Sequence, residues 1–324
     1  MAQEDEEDDF GWEKAPEGAH GSGQVGHVSV LLKEAIDFLA IRRDGTYIDA
    51  TLGLGGHSLE IASRLGAQGH LIGFDKDTNA LELARQRLSR VGGDSHPGVS
   101  PKVTLLHASY AEIASHVSPA TADGLLADLG VSSLQFGDPA RGFSFQAEGP
   151  LDMRMDPHQE LTADQVVNHM GEEELANVIY EFGEERRSRR IARAIVRARP
   201  IRSTAHLAQV ISAALRSMKK DHGAREKIHP ATRTFQAIRI FVNRELDDLK
   251  ALLEAVPKIL KPGGRLVVIS FHSLEDRIVK DAIRAGREAG IYTVLTRKPV
   301  TATEEEIDRN PRSRSAKLRA AEKV

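Results

Sequence analysis

From residue 28 onward, short apolar runs alternate with amphipathic stretches, and this alternation predicts strands and helices in turn. The apolar runs are bounded by glycine, aspartate or serine, as buried strands usually are. Each run is separated from the next by enough residues for one helix, which is typical of βαβ units and predicts a parallel sheet. The predicted strands cover residues 47–51, 70–75, 103–106, 124–128 and, after an interruption, 265–270.

The interruption in this series of strands has a helical pattern. Between about residue 137 and residue 233, apolar residues recur at helical spacing and no segment has the pattern of a strand. Beyond it, apolar residues from Phe235 to Val256 keep gaps of three and four, which predicts one long helix. We therefore predict an α/β domain formed by residues 25–136 and 234–324, into which an all-helical domain of residues 137–233 is inserted.

Composition narrows the chemistry that the chain can perform. The 324 residues include no cysteine, which excludes disulfides, thiolate zinc sites, iron–sulfur clusters and a cysteine nucleophile. No apolar run approaches the ~18 residues of a membrane span, and the first residues lack the apolar stretch of a secretory signal. We therefore expect a cytoplasmic protein with no membrane partner.

Charge is unevenly distributed along the chain. Residues 1–24 hold eight acids and one base, and we predict that this acidic tail is disordered because it has little to bury. The rest of the chain carries 43 bases and 39 acids, with eight arginines within residues 186–202 and six bases within residues 309–323. Either basic cluster alone is explained by a helix face that is exposed to solvent. Two such clusters, in a part of the chain with a net positive charge, favour a polyanion as partner.

A glycine-rich turn follows the first strand, with the sequence Asp-Ala-Thr-Leu-Gly-Leu-Gly-Gly-His-Ser at residues 49–58. Two of its glycines match a dinucleotide motif, but Ser58 stands where the third glycine should be. Asp49 ends the strand and is placed to hold a ligand's ammonium group, and Asp75 ends the next strand, where an acid binds ribose hydroxyls. S-adenosylmethionine has both groups, so the residues favour it over a dinucleotide or a purely structural turn.

A third acid, Asp128, closes the fourth predicted strand. Because the carboxyl ends of parallel strands line one crevice, we expect Asp49, Asp75 and Asp128 to converge there. The alternative is that Asp128 only caps the next turn. Beyond the fifth strand, Ser273 is predicted to cap a helix, since Asp276 follows three residues later.

Histidines and phenylalanines near these elements allow further interpretations. His57, His107 and His272 all lie near predicted strand ends, but their spacing matches no metal-binding motif, and we predict no metal site. Phe143 and Phe145 would either stack on a nucleic-acid base or pin the insert onto the sheet.

Eight short strings, taken with their order and spacing, resemble one family. They include Asp-Leu-Gly-Val-Ser-Ser at 128–133, Arg-Gly-Phe-Ser-Phe at 141–145, Pro-Leu-Asp-Met-Arg-Met-Asp at 150–156 and Ser-Phe-His-Ser-Leu-Glu-Asp-Arg at 270–277, and the others lie at 27–34, 49–58, 229–236 and 310–319. Across about residues 27–319 the chain resembles the MraW/RsmH family of bacterial methyltransferases. Nearly everything except the acidic tail is covered.

This resemblance implies a fold and a ligand. The fold is a class I, Rossmann-like, S-adenosylmethionine-dependent methyltransferase sheet with a helical domain inserted after the fourth strand. S-adenosyl-L-methionine would be the methyl donor. The residues implied to bind it are Gly55, Gly56 and His57 at the methionine end, Asp75 at the ribose, Tyr110 at the adenine, and Asp128 and Gln135, which complete the pocket. The family often has phenylalanine in place of Tyr110, which keeps the aromatic ring.

The resemblance also implies a reaction, methylation of the exocyclic N4 of cytidine 1402 in the decoding (P-site) region of 16S rRNA. Asp128 or a neighbouring backbone carbonyl would accept hydrogen bonds from the amine, and the insert would contact RNA in the small ribosomal subunit. The absence of cysteine agrees, because an attacking amine needs no cysteine nucleophile. A second interpretation is a non-catalytic small-subunit assembly factor that binds S-adenosylmethionine and RNA. The sequence is compatible with a monomer or a homodimer.

Overall fold

The structure, a computed structural model, describes residues 29–89, 100–216 and 229–324. Within these residues the chain divides into two compact units. The first contains the chain up to Gly130 together with Leu246–Val324, and the second is Val131–Glu245. The predicted acidic tail and the first two residues of the string at 27–34 lie outside the described residues.

The described residues of the first unit form a seven-stranded sheet. Its strands are β1 (Thr46–Asp49), β2 (His70–Asp75), β3 (Lys102–His107), β4 (Ala122–Asp128), β5 (Leu260–Ser270), β6 (Tyr292–Val294) and β7 (Lys317–Lys323). Their order across the sheet is β3-β2-β1-β4-β5-β7-β6. Strands β1 to β5 pair in parallel, and β7 pairs antiparallel with both of its neighbours. The predicted α/β fold class is confirmed.

Helices surround the sheet and build the second unit. The first unit begins with α1 (Leu32–Leu39), α2 (Gly56–Arg64), α3 (Thr78–Leu88) and α4 (Ile113–His116). The second unit contains α5 (Ser133–Gly137), α6 (Ala163–His169), α7 (Glu172–Gly183), α8 (Ser188–Ala198), α9 (Thr204–Arg216) and α10 (Thr232–Asn243). Those that follow are α11 (Glu245–Ile259), α12 (Ser273–Glu288) and α13 (Glu304–Arg309). Among the helices described, none has the length and apolar character needed to cross a bilayer.

Both faces of the sheet are covered, so its central strands are apolar on both sides. On β4, Leu125 and Ala127 belong to one hydrophobic core and Leu126 to the other. This alternation follows from the pleat of a strand, which sends successive side chains to opposite faces. Helices α11 and α12 pack on the first core and α1, α2 and α3 on the second. Burial on both faces gives these strands the continuous apolar runs that made them predictable.

Two strands, β6 and β7, were not predicted. β6 has only three residues, and β7 carries charges that conceal its apolar positions. In the structure these charges are satisfied: Arg319 donates hydrogen bonds of 2.6 and 3.0 Å to the carboxylate of Asp276, and Lys323 donates one of 2.7 Å to the carbonyl of Leu260. The basic residues near the C-terminus are therefore partly used to build the sheet.

The second unit has a hydrophobic core of its own, to which α6, α7, α8, α9 and α10 all contribute. Phe143 is buried in this core. The ring of Phe145 lies 4.6 Å from that of His229 and 4.9 Å from that of Phe235, measured between ring centroids. Both phenylalanines therefore pack within the helical unit, and the two roles predicted for them from the sequence stay predictions.

The prediction of one long helix after the insert was wrong, because two helices meet at Arg244. This residue has a φ of 54°, in the left-handed region, which ends α10. Across the break, the buried guanidinium of Arg239 donates hydrogen bonds of 2.8 and 2.9 Å to the carboxylate of Glu245. The second unit thus ends later than the sequence predicts. The helical spacing hides the break, because Val242 and Leu246 are still four residues apart.

Candidate functional site

Three aspartates end three neighbouring strands at one edge of the sheet. Asp49 is the last residue of β1, Asp75 of β2 and Asp128 of β4. Strands β1 and β4 are adjacent although they are not consecutive, so the strand order reverses between them. In open parallel sheets, ligands bind in the crevice at this reversal, beyond the carboxyl ends of the strands.

Asp49 is buried and hydrogen-bonded within the glycine-rich turn. Its Oδ2 accepts the hydroxyl of Ser58 at 2.7 Å, and its Oδ1 accepts the backbone N–H of Thr51 at 3.2 Å. Burial raises the pKa of Asp49 to about 6, although both hydrogen bonds lower it. Ser58, which replaces the third glycine of a dinucleotide motif, therefore has a structural role, because its hydroxyl holds the carboxylate of Asp49 at the end of β1.

Asp75 supports the same turn from the next strand. Its Oδ2 accepts the N–H of Gly53 at 2.7 Å, and its Oδ1 accepts the N–H of Asp77 at 2.8 Å. Gly53 has a φ of 50°, a conformation that favours glycine. Burial raises the pKa of Asp75 to about 6, with further contributions from the charges of Asp77 and Asp49. Since each carboxylate oxygen has two lone pairs, Asp75 can accept two more hydrogen bonds.

Asp128 presents a buried oxygen with no hydrogen-bond partner among the described residues, its Oδ1. Its other oxygen, Oδ2, lies 3.6 Å from Nδ1 of His57, and its backbone N–H donates to the hydroxyl of Thr51 at 2.6 Å. Burial raises the pKa of Asp128 well above its usual value, and the charges of Asp49 and Glu275 add to the rise. A buried acceptor without a partner is costly, which indicates that a ligand supplies the missing donor.

The rest of the glycine-rich turn forms the start of α2. Gly55 precedes the helix with a φ of 75°, and a Cβ on it would lie 3.2 Å from that of Ala84, so glycine suits this position. Gly56 is the first residue of the helix, and His57 follows it, buried, with its Nε2 3.1 Å from the carbonyl oxygen of Val30. The first N–H groups of a helix have no partner within the helix itself, and helix starts bind polar ligand groups for this reason.

The last two predicted site residues lie farther along the chain. Tyr110 begins a 3₁₀ turn after β3 and packs, partly buried, against the first hydrophobic core. Gln135 lies in the second unit, where its N–H donates to the hydroxyl of Ser132 at 3.2 Å and its Oε1 accepts the N–H of Ser132 at 3.0 Å. Ser132, and not Asp128, therefore caps α5. The adenine contact of Tyr110 and the ligand contact of Gln135 stay predictions.

The turn between β5 and α12 differs from the sequence prediction. His272, and not Ser273, caps α12, because its side chain accepts the N–H of Glu275 at 3.4 Å. The carboxylate of Glu275 accepts the N–H of Phe271 at 2.8 Å, and its charge raises the pKa of Asp128. Glu275 was missed because a glutamate in the first turn of a helix is common and its spacing carries no further signal.

Asp49, Asp75, Asp128 and Glu275, which we name the carboxylate cluster, favour a cationic ligand. Their mutual repulsion is relieved by a positive charge and increased by an anionic group such as a pyrophosphate. A ligand that combines positive charges with ribose hydroxyls, as S-adenosylmethionine does, fits this arrangement. Within residues 29–89, 100–216 and 229–324, no three histidine, aspartate or glutamate side chains are arranged to hold a metal ion.

We expect the variant Asp49→Asn to become more stable than the wild type as the pH rises. The folded chain holds the proton of Asp49 with a pKa of about 6, against an ordinary value of 3.8. Stability is therefore lost between these two pH values as the wild-type carboxyl ionises, by roughly 3 kcal/mol at 1.36 kcal/mol per pKa unit. Asparagine does not ionise, so the variant should gain this amount over the wild type between about pH 4 and pH 8, measured as unfolding midpoints in urea.

Asp123, at the other end of β4, offers a control of opposite sign. Burial raises its pKa, but hydrogen bonds from Lys261 and from the N–H of Thr46 outweigh burial and lower it. Because this carboxylate stabilises the fold when ionised, Asp123→Asn should lose more stability at pH 8 than at pH 4. If Asp49→Asn and Asp123→Asn responded to pH in the same direction, the assignment of the raised pKa to Asp49 would be contradicted.

The two basic clusters differ in how far they are exposed. Helix α8 places Ile191, Ala192 and Ile195 in the core of the second unit. The arginines on its other side and beside it are exposed, and we name them the α8 surface: Arg186, Arg187, Arg189, Arg190, Arg193, Arg197 and Arg202. No acid interrupts the sequence between the first and the last of them. Arg193 pairs with Glu172 at 3.2 Å, but the α8 surface remains a dense and exposed set of arginines that suits a polyanion, whereas Arg319 and Lys323 of the C-terminal cluster are bonded within the sheet.

A family model and two relatives indicate one family. The model of the MraW methylase family matches residues 24–324. The Ribosomal RNA small subunit methyltransferase H of Koribacter versatilis is 72% identical over 307 residues, which cover 95% of this chain and 97% of that protein. The protein of the same name from Acidobacterium capsulatum is 64% identical over 297 residues, 92% and 98% of the two chains. The crystal structure of an rRNA methylase from Streptococcus thermophilus aligns with a TM-score of 0.41 at 12% identity, covering 92% of this chain and 99% of that one.

Proposed function

Because this chain belongs to the MraW methylase family, we propose that it methylates the exocyclic N4 of a cytidine in small-subunit ribosomal RNA. The proposed target is cytidine 1402, in the decoding (P-site) region of 16S rRNA. The observation that carries the proposal is the 72% identity, over 95% of the chain, to a Ribosomal RNA small subunit methyltransferase H. The buried Oδ1 of Asp128, which lacks a partner among the described residues, supports an amine as the acceptor of the methyl group.

The methyl donor is S-adenosylmethionine. When bound, it supplies a methyl group on a positively charged sulfur, and its sulfonium and ammonium charges suit the carboxylate cluster. Asp75 has lone pairs left for the ribose hydroxyls. The other residues that we propose to hold the donor are Gly55, Gly56 and His57 at the methionine end, Tyr110 at the adenine, and Asp128 and Gln135.

Asp128 addresses the difficulty of this reaction, which is that the lone pair of an exocyclic amine is delocalised into the ring. A hydrogen bond from the amine to Oδ1 of Asp128 localises the lone pair on the nitrogen that attacks. A bond forms between this nitrogen and the methyl carbon, and the electron pair of the carbon–sulfur bond remains on sulfur. The nitrogen must then lose one proton, and Asp128 receives it. Holding the amine in line with the methyl group supplies much of the remaining acceleration.

The α8 surface is the part of the chain that we propose to contact RNA phosphates. Arg189, Arg193 and Arg197 follow one another at intervals of four residues, so they form a stripe along the helix with steps of about 6 Å. Guanidinium groups bind phosphates in a bidentate manner. RNA binding should therefore weaken steeply with salt, since each phosphate contact releases counterions.

Replacement of Asp75 by alanine should weaken donor binding more than it slows transfer at saturation. The variant loses the carboxylate that we assign to the ribose and the support of the turn at Gly53. Loss of a hydrogen bond to a charged group is worth about 1.5–3 kcal/mol, so Kd for S-adenosylmethionine should rise roughly tenfold or more. Isothermal titration calorimetry measures this directly. Asp123→Asn, an acid at the opposite end of the sheet, should leave Kd unchanged, and an unaltered Kd in Asp75→Ala would exclude the ribose role.

The reaction is tested with small ribosomal subunits from cells that lack this enzyme. The purified protein is incubated with them and with methyl-labelled S-adenosylmethionine, and the RNA is then digested and its nucleosides are identified. We expect labelled N4-methylcytidine at a single position. Label in another nucleoside would reject the proposed atom, and donor binding without transfer to RNA would favour the assembly-factor interpretation.

A further inference from the structure

Asp248, in the first turn of α11, holds two loops that follow neighbouring strands of the sheet. Its Oδ2 accepts the hydroxyl of Ser109 at 2.7 Å and lies 2.5 Å from the ammonium nitrogen of Lys76. Lys76 is the residue after β2, and Ser109 comes two residues after the end of β3. The side chains of Lys76 and Asp248 are only 20% and 14% exposed, so water shields their ion pair little. One carboxylate oxygen therefore holds both loops against the helix.

The loop after β3 is organised around the hydroxyl of Ser109. This hydroxyl donates its hydrogen to Asp248, and its oxygen accepts the N–H of Ala111 at 3.1 Å. The second bond caps the 3₁₀ turn that begins at Tyr110. Because a hydroxyl has a single hydrogen to donate, the carboxylate of Asp248 determines how this cap is oriented. The turn that carries Tyr110 is thus attached to α11 at the residue just before it.

The loop after β2 is bonded to the end of β3 as well as to α11. The backbone carbonyl of Asp75 accepts the N–H of Ala108 at 3.1 Å, and Nε2 of His107 lies 3.0 Å from the carbonyl oxygen of Lys76. The backbone on both sides of the Asp75–Lys76 peptide is therefore held by the neighbouring strand. The ion pair of Lys76 with Asp248 adds a restraint from the helix, directly beside the carboxylate of Asp75.

We propose that Asp248 is a positioning residue for the methyl donor, because it sets the spacing between the two loops that we assign to the ribose and to the adenine. Asp75 is adjacent to Lys76 on the first loop, and Tyr110 is adjacent to Ser109 on the second. Ribose and adenine are joined by a single bond, so the groups that bind them must stand at one fixed separation. Holding the loops at that separation before the donor arrives removes an ordering cost from binding. The proposal rests on the proposed function only in these two assignments.

Loss of this carboxylate should act on the donor and not on the transfer step. We expect Asp248→Ala to raise both Kd and KM for S-adenosylmethionine about tenfold, within the range of residues that act on a ligand through others. At saturating donor, kcat and KM for RNA should stay close to their wild-type values. Asp248→Asn keeps an oxygen for the hydroxyl of Ser109 but has no charge for Lys76, so its Kd should lie between the two. An unchanged Kd in Asp248→Ala would overturn the proposal.

A double-mutant cycle tests whether Asp248 acts through Tyr110. The cycle measures Kd for S-adenosylmethionine by calorimetry in the wild type, Tyr110→Ala, Asp248→Ala and the double variant. If the carboxylate positions the ring, its removal matters less once the ring is gone, so the double variant should have a Kd clearly below the product of the two single effects. Two losses that multiply would show that Asp248 and Tyr110 act independently and would overturn the positioning role.

A matched control is Glu322→Gln, which removes the charge of another partly buried ion pair of the first unit. Glu322 lies 2.7 Å from Arg265, and their side chains are 34% and 25% exposed. This variant should keep the wild-type Kd, with thermal unfolding recorded for both it and Asp248→Asn. An equal rise of Kd in the two variants would mean that lost stability, and not positioning, weakens the donor. A wild type that shows the predicted cycle but makes no N4-methylcytidine would reject the proposed function and leave the role of Asp248 in place.

Discussion

Replacement of Asp128 by alanine should lower kcat for methyl transfer by about 10²–10⁴-fold, the contribution typical of a positioned proton acceptor. The variant loses the buried oxygen that we assign to the amine, while the strand that carries Asp128 keeps its pairing with β1 and β5. Because burial raises the pKa of this carboxyl, the side chain is costly to the fold. The variant should therefore be at least as stable as the wild type, a common exchange between stability and activity. Labelled-methyl transfer to small subunits and thermal unfolding measure the two effects.

Asparagine at position 128 distinguishes the ability of the side chain to accept a proton from its size and shape. Asp128→Asn keeps the size of the side chain and an oxygen able to accept a hydrogen bond, but it cannot take a proton at neutral pH. We expect it to bind RNA with the wild-type affinity, to bind S-adenosylmethionine more weakly because the carboxylate cluster has lost one charge, and to remain severely impaired in kcat at saturating donor. Normal methylation by Asp128→Ala would show that a backbone carbonyl or water receives the proton instead.

Removing three charges from the α8 surface should weaken RNA binding by on the order of a hundredfold at low salt. The variant replaces Arg186, Arg189 and Arg197 with glutamine, all of which are exposed. Single-stranded RNA contacts each contribute about 0.7 to the slope of log affinity against log salt, so the slope should fall by roughly 2. Filter binding with 16S rRNA over a salt series gives both quantities. The core of the helical unit should be unaffected, because all three side chains are exposed: Arg189 and Arg197 lie on the outer side of α8, and Arg186 precedes the helix.

The control removes the same net charge elsewhere. Arg284, Arg287 and Arg309 are exposed arginines of the first unit, and each lies beside an acid that partly neutralises it. Their replacement by glutamine should change the salt slope little. If both triple variants lost affinity equally, RNA binding would depend on total charge, and the α8 surface would have no special role.

The fold was predictable where burial determines the residue type. Strands β1, β2, β4 and β5 lie in the interior of the sheet and appear in the sequence as apolar runs, whereas the reversal of strand order between β1 and β4 is not encoded in those runs. β7 was not predictable, because its charged side chains are paired with partners distant in sequence, such as Arg319 with Asp276. The break at Arg244 was also hidden, since one left-handed residue leaves the helical spacing unchanged.

The part of the site that lies at the ends of strands was predictable from the sequence. Asp49, Asp75 and Asp128 follow apolar runs, and the rule that strand ends share one crevice brings them together without any structure. Contacts that cross between elements carry no such signal. Glu275 faces Asp128 from α12, and the Val30 carbonyl reaches His57 from the chain before α1. These contacts depend on how the elements pack, which spacing along the chain does not encode.

The position of β7 has a consequence for how the sheet assembles. β7 lies between β5 and β6, so β6 has no neighbour in the sheet, and β5 has a bare edge, until β7 inserts. A long apolar edge such as Leu266–Ile269 of β5 is a template for pairing with another chain. In the folded chain β7 therefore covers an edge of β5 that would otherwise be open to pairing with another chain. The charges on β7 then serve a second purpose, since they discourage this strand from pairing with a copy of itself before it docks.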